Sequence, residues 1–259
     1  MSAPLLQFYP VESVRLAYRL RTADAPRAGK KPGLVWLGGF MSDMRSTKAQ
    51  AIDDYAARSG RVFLRFDYSG HGESEGAFTD GTIGKWAAQS LALIRALTSG
   101  PQIIIGSSMG AWIALLCARA LALAGEAARI EGMVLIAPAV DFTEKLMWAR
   151  LPQDVRRAIE TQGLWLRPSE YSPDPYPITR GLIEDGRANC LLDGPVRSFG
   201  PVHILQGMQD TDVPWQHAMR LVEHLADDPV VVTLVKDAGH RMSGPEDIAR
   251  LIAAIDALA

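Results

Sequence analysis

Six short apolar runs constrain the fold of this chain more than any other feature. LVWLGG (34–39), VFLRFD (62–67), IIIGSS (103–108), MVLIAP (133–138), VHILQG (202–207) and VVVTLV (230–235) are rich in β-branched residues and do not alternate cleanly with polar ones. Runs of this kind suit strands covered on both faces. Helical patterns lie between them: 46–59, 84–98, 109–124, 215–226 and 246–258. Ser243-Gly-Pro-Glu246 predicts a capping box at the start of the last helix. Strand and helix alternate, which predicts a doubly wound, mostly parallel α/β sheet. Residues 5–9 and 14–20 predict antiparallel strands at one edge, because Val14, Leu16, Tyr18 and Leu20 alternate with polar or small neighbours.

The alternation breaks once. After Pro138 the next strand does not begin until about residue 202, far longer than an ordinary crossover. The predicted organisation is a core of residues 1–140 and 201–259, with 141–200 inserted as a helical lid over one end of the sheet.

Composition narrows the function. A hydrophobic fraction of 48% supplies a sizeable core, and a net charge of −2 argues against a nucleic-acid partner. The start, MSAPLLQFYPVES, has neither the basic nor the apolar region of a signal peptide. No stretch is apolar for the roughly 18 residues a membrane span needs. These features predict a cytoplasmic protein. Cys117, within LLCARAL, reads as a small core residue, and with Cys190 the only other cysteine there is no sign of a disulfide framework.

One strand-to-helix junction stands out. Gly106-Ser107-Ser108-Met109-Gly110 is G-x-S-x-G centred on Ser108. Glycines two positions either side let a very tight turn form without collision. Such a turn lifts the Ser108 hydroxyl above the sheet and aims the Met109 N–H at the same point. The competing reading is a plain helix cap, a common role for serine.

A serine hydroxyl needs a base, and the base needs an orienting acid. His240 follows the last strand in KDAGH, in a loop able to reach over the carboxyl edge of the sheet. His203 lies inside a strand, and His217 and His224, one heptad apart, read as surface positions on a helix. His71, in DYSGHGES, either packs beside the site or serves as a second base. The loop QGMQDTDVPW offers Asp210 and Asp212, and Asp210 is preferred because it lies nearer the strand end. The second oxyanion donor is expected from Gly38-Gly39-Phe40-Met41, with the Phe40 N–H joining that of Met109.

The stretches GGFMSDM, RFDYSGHGESEG, GKWAAQSLALI, GPQIIIGSSMGAW, QGMQDTDVPW and AGHRMS resemble the α/β-hydrolase superfamily. More narrowly, they and the inserted stretches LPQDVRRAIETQGLW and PSEYSPDPYPITRGLIEDG resemble the mitochondrial α/β-hydrolase-domain palmitoyl-protein thioesterases and acyl-glucuronide esterases. The resemblance implies a serine hydrolase with Ser108, Asp210 and His240 as the triad, no cofactor and no metal. It implies ester or thioester substrates, small molecules or S-acylated groups, cleaved through an acyl-enzyme. Two departures stand out: Gly38 occupies a place where many relatives have histidine, and the transit segment expected of a mitochondrial member is not seen.

Trp148, Trp165 and Trp215 are the expected walls of the substrate pocket, whereas Trp112 is expected to pack behind the nucleophile helix. Arg150, Arg156, Arg157 and Arg167 are candidates to receive an acidic substrate group. The alternative function is an aminopeptidase or amidase on the same fold, with Glu170 or Glu184 holding the substrate amine.

Overall fold

A computed structural model describes residues 4–23, 31–168, 175–225 and 227–259. The chain runs β1 (Gln7–Val11), β2 (Val14–Arg21), β3 (Gly33–Leu37), α1 (Thr47–Ser59), β4 (Phe63–Phe66), α2 (Ile83–Leu97), β5 (Gln102–Ser107), α3 (Met109–Leu123) and β6 (Ile130–Ile136). An insertion follows, with α4 (Gln153–Gln162), β7 (Leu164–Arg167), β8 (Tyr176–Thr179) and α5 (Arg180–Ala188). β9 (Val202–Gly207), α6 (Trp215–His224), β10 (Val230–Val235) and α7 (Pro245–Asp256) complete it. Eight strands form one sheet in the order β1-β2-β4-β3-β5-β6-β9-β10. β2 is antiparallel to β1 and β4, and every other pairing in the sheet is parallel.

Burial follows from the strand sequences. All six residues of β5 and all five of β3 are buried, as expected for strands with helices on both faces. Alternate side chains enter different cores: Ile104 packs with α2 and α3, while Ile103 and Ile105 pack with α1 and α7. α3 is apolar on nearly all sides because it lies between the sheet, α2 and the insertion; buried Trp112 donates its indole N–H to the Asn189 carbonyl at 3.2 Å. A buried carboxylate, Asp53, joins Arg21 and Arg65 at 2.6 and 3.0 Å, tying α1 to β2 and β4.

Three expectations are corrected. The insertion is not wholly helical: a π-helical turn (Thr143–Met147) and a 3-10 turn (Trp148–Arg150) precede α4, and β7 and β8 pair antiparallel. Four-residue strands are too short to print a period on the sequence. The start of α7 is capped one residue later than predicted: Asp247 accepts from the Gly244 N–H at 3.2 Å, and Glu246 turns to Arg250 instead. His217 is buried rather than exposed, its Nε2–H donating to the Val140 carbonyl at 2.7 Å. Cys117 is buried as expected, its thiol pushed up to about 12 by burial, and both cysteines are free.

Candidate active site

The junction between β5 and α3 holds a strained residue. Ser108 has φ 54° and ψ −117°, in a region L-residues rarely occupy, and its side chain caps nothing. The cap reading therefore fails, and the strain calls for another cause. Backbone bonds pin the residue from both sides: its N–H donates to Ile136 at 2.8 Å, and its carbonyl accepts from Ala111 at 3.0 Å and Ala139 at 3.2 Å. The glycines are steric requirements. A Cβ on Gly106 would lie 2.5 Å from the Gly110 carbonyl oxygen, and one on Gly110 would lie 2.1 Å from that of Leu37.

The carboxyl ends of β9 and β10 bring two more side chains to the same point. His240 Nε2 lies 3.1 Å from Ser108 Oγ, and His240 Nδ1 lies 2.7 Å from Asp210 Oδ2. A carboxylate only accepts, so Nδ1 carries the proton and Nε2 is left to accept from the serine hydroxyl. Asp210 is buried and held in place: Oδ1 accepts from the N–H groups of Asp212 and Val213 at 2.9 and 2.8 Å. Asp212 thus contributes its backbone to the turn while Asp210 faces the histidine. Ser108 and His240 remain partly accessible. Asp210, Asp212 and His240 each offer one ligand atom, all within 4.8 Å of one another. Both oxygens of Asp210 and both ring nitrogens of His240 already have protein partners, so this trio is poorly disposed to take a cation.

Phe40 and Met109 flank the serine. Met109 opens α3, where an N–H has no acceptor within the helix. The loop after β3 approaches closely enough that a Cβ on Gly39 would sit 3.4 Å from Ser108 Cβ, which brings the peptide of Phe40 to the elbow. The Phe40 ring meets Phe78, Phe142 and Tyr176 with centroids at 5.0, 5.7 and 6.4 Å. This aromatic wall joins core to insertion, and its residues are too scattered along the chain to read as a cluster.

The three predicted tryptophans have separate settings. Trp148 is stacked by Arg187 at 4.6 Å and Arg156 at 5.7 Å. Trp165 stands opposite Ile178 in the β7–β8 ladder and packs against the core. Trp215 begins α6, just past the Asp210 turn, and is half-buried. Of the predicted arginines, Arg156 is committed to the Ala149 carbonyl at 3.1 Å, while Arg157 is exposed. Glu184 lies on α5, 3.8 Å from Arg180, and Glu170 falls outside the described residues.

His71 is buried among Tyr68, Phe78 and Trp86, with ring centroids 5.0–5.4 Å away. Its Nδ1–H donates to the Ser69 carbonyl at 3.3 Å, and burial depresses its pKa to about 4. It is therefore a packed, neutral ring near pH 7.

Two supports escaped the sequence. Asp67, at the end of β4, accepts from the Met44 N–H at 2.7 Å and the Glu73 N–H at 2.9 Å, joining the Phe40 loop to DYSGHGES. Burial raises its pKa to about 6. Gly72 is required beside it, with φ +49° and no room for a Cβ, which would lie 2.1 Å from Asp67 Oδ2. Lys48, on α1, donates from Nζ to the Arg241 carbonyl, next to His240; burial lowers its pKa to about 8. Neither residue carries a motif; the DYSGHG glycines were the available signal for Asp67.

Comparison with known proteins agrees with the fold and with the resemblance. The human mitochondrial palmitoyl-protein thioesterase ABHD10 is 36% identical over 231 residues, covering 89% of this chain and 74% of the relative. The crystal structure of a hydrolase described as putative, from Agrobacterium vitis S4, superposes with a TM-score of 0.92 at 45% identity, covering 98% of both chains. Mouse alpha/beta hydrolase domain-containing protein 10 superposes with a TM-score of 0.85 at 32% identity, also covering 98% of both. The thioesterase relatives are named as mitochondrial, so the cytoplasmic expectation gains no support from them; no helix among the described residues is long and apolar enough to cross a membrane. The Alpha/beta hydrolase family matches residues 32–254, and the chain belongs to that family.

Proposed function

We propose that this chain is a serine hydrolase that cleaves carboxylic esters and thioesters through an acyl-enzyme on Ser108. The observation that carries the reading is the continuous hydrogen-bond chain Ser108–His240–Asp210, built on a strained residue that caps nothing. His240 Nε2 takes the hydroxyl proton as Ser108 Oγ attacks the acyl carbonyl. Asp210 holds the Nδ1–H and stabilises the imidazolium. The N–H groups of Phe40 and Met109 receive the developing oxyanion; one such donor is worth about 2.7–4 kcal/mol. Collapse of the tetrahedral intermediate breaks the C–O or C–S bond, and His240 returns the proton to the leaving group. Water, activated by the same histidine, then releases the acid. The cycle needs neither cofactor nor metal.

The substrate class is an apolar acyl group on oxygen or sulfur. Its support is the aromatic wall of Phe40, Phe78, Phe142 and Tyr176, together with the thioesterase activity named for the relatives. The insertion, residues 141–200, acts as a lid that supplies Phe142 and Tyr176 to that wall, with Trp165 and Trp215 as further contacts. Trp148 acts at one remove, ordering the lid through its arginine stack.

The test is a fluorophosphonate probe followed by a hydrolysis panel of p-nitrophenyl esters, acyl-CoA, S-acyl peptide, acyl glucuronide and aminoacyl amides. Wild type labels and prefers acyl esters or thioesters. Ser108→Ala loses labelling and at least about 10⁴-fold in kcat/KM while keeping its circular dichroism. Full activity in Ser108→Ala overturns the mechanism, and a preference for the amides overturns the substrate class.

A further inference from the structure

β9, VHILQG, ends with a side chain out of keeping with its face. Val202 and Ile204 enter the core shared with Ala218 and Leu221 of α6, and period two sends Gln206 the same way. Gln206 is wholly buried there. A buried amide is costly unless its polar atoms are used, so its partners show what it is for.

Gln206 Nε2 stands among three oxygens: the Gly207 carbonyl at 2.9 Å, the Val213 carbonyl at 3.0 Å and Asp210 Oδ2 at 3.4 Å. Three acceptors fix the orientation of the amide, because its own oxygen in that place would repel all of them. Two N–H protons are thus shared over three acceptors. Gly207 opens the acid loop and Val213 closes it, so one side chain clamps both ends. Val213 is held twice, its N–H by Asp210 Oδ1 at 2.8 Å and its carbonyl by Gln206. Asp210 in turn has backbone N–H groups on Oδ1, and His240 and Gln206 on Oδ2. Gln206 Oε1 makes no hydrogen bond among the described residues. That unpaired oxygen is the stability cost of keeping a donor here, where methionine would fill a similar volume.

We infer that Gln206 is a positioning residue for the relay: it fixes Asp210 Oδ2 toward His240 and tempers the negative charge on that oxygen. The inference rests on the Ser108–His240–Asp210 relay proposed above. Donation to a carboxylate draws charge from it, and a carboxylate so tempered holds an imidazolium less firmly. Without the donor, Oδ2 is freer to turn and the protonated form of His240 persists to higher pH. Both effects leave less of the relay able to take the Ser108 proton. The other charged groups beside the relay are Asp212, Arg241 and Lys48, which donates to the Arg241 carbonyl, and they are the same with or without the donor.

The experiment is the pH profile of p-nitrophenyl ester hydrolysis by wild type, Gln206→Met and Ser108→Ala, with circular dichroism as the folding control. Gln206→Met keeps the length of the side chain and removes the donor. Its kcat is expected to fall about tenfold with KM within about twofold of wild type, and the acid limb of kcat/KM to move up by about half a pH unit. A folded Gln206→Met with wild-type kcat overturns the inference. So does one whose kcat falls while the acid limb stays in place, because a packing defect alone does that. Ser108→Ala tells two failures apart. If it is inactive while Gln206→Met is unaffected, this inference alone is overturned; if it is fully active, the relay falls and this inference with it. Should Gln206→Met fail to fold, the side-chain amide resonances of Gln206 in isotope-labelled wild type decide. They are expected to move with pH at the midpoint of the acid limb, and resonances that stay fixed overturn the inference.

Discussion

Two buried aspartates at the carboxyl edge of the sheet use one local device for different ends. Asp210 and Asp67 each follow a strand and each accepts two backbone N–H groups, Asp210 from its own turn and Asp67 from Glu73 in its own loop and Met44 in the loop after β3. They differ in what else they meet. Asp210 keeps Oδ2 for His240 at 2.7 Å. Asp67 spends both oxygens on backbone N–H groups and forms no ion pair among the described residues, and burial raises its pKa to about 6. The same carboxylate turn thus serves a proposed proton relay at one strand end and a scaffold for the Phe40 loop at another. The partner on the second oxygen, rather than burial, separates the two roles.

The largest expected effect comes from breaking the first member. Asp210→Asn presents an amide to His240 Nδ1 and favours the wrong tautomer. We expect kcat on a p-nitrophenyl ester to fall about 10³–10⁴-fold with little change in KM. A loss below tenfold removes Asp210 from the relay.

Breaking the second member should register in stability instead. Asp67 has a folded-state pKa above its unfolded value, so the protonated form favours folding. That contribution is fully present below about pH 4 and is lost as pH rises through about 6. Urea titrations should show wild type losing roughly 2–3 kcal/mol relative to Asp67→Asn over that window. The kcat of Asp67→Asn near pH 7 should stay within about tenfold of wild type, that is within about 1.4 kcal/mol. A drop as deep as that of Asp210→Asn collapses the distinction between the two.

Lys48 sharpens the comparison, because it links α1, which follows the loop anchored by Asp67, to the loop carrying His240. Lys48→Met should lower kcat about three- to tenfold at unchanged KM, the size expected from losing one hydrogen bond. Lys48→Arg should restore it. An unchanged kcat in Lys48→Met removes the lysine from the positioning of the histidine.

Much of this was legible because parallel strands announce themselves. Each apolar run begins or ends within a few residues of an observed strand, and the glycine spacing around Ser108 gave away the turn. Ser108, Asp210 and His240 could be picked out because each follows a strand of that pattern. What stayed hidden rests on contacts distant in sequence. The β7–β8 ladder, Lys48 with Arg241 and the aromatic ring around Phe40 join residues that no local period connects. His217 is instructive: Ala218 and Leu221 mark the same face of α6 as buried, but its partner, the Val140 carbonyl, lies 77 residues away.

One clasp in the insertion has a consequence for how the protein can change. Asp141, wholly buried at φ 56°, accepts from the N–H groups of Leu191 at 2.8 Å and Leu192 at 2.8 Å. The first residue of the insertion is therefore bound to its later stretch through a single carboxylate, next to Ala139, whose N–H holds the Ser108 carbonyl. A detour with its two feet bound together transmits little of its own length to the sheet, because closure entropy grows only slowly with loop size. The span between the feet can change in length at little entropic cost, while the clasp and the contacts of Asp185 with the Gly84 N–H and of Asn189 with Trp112 keep it in register with the core.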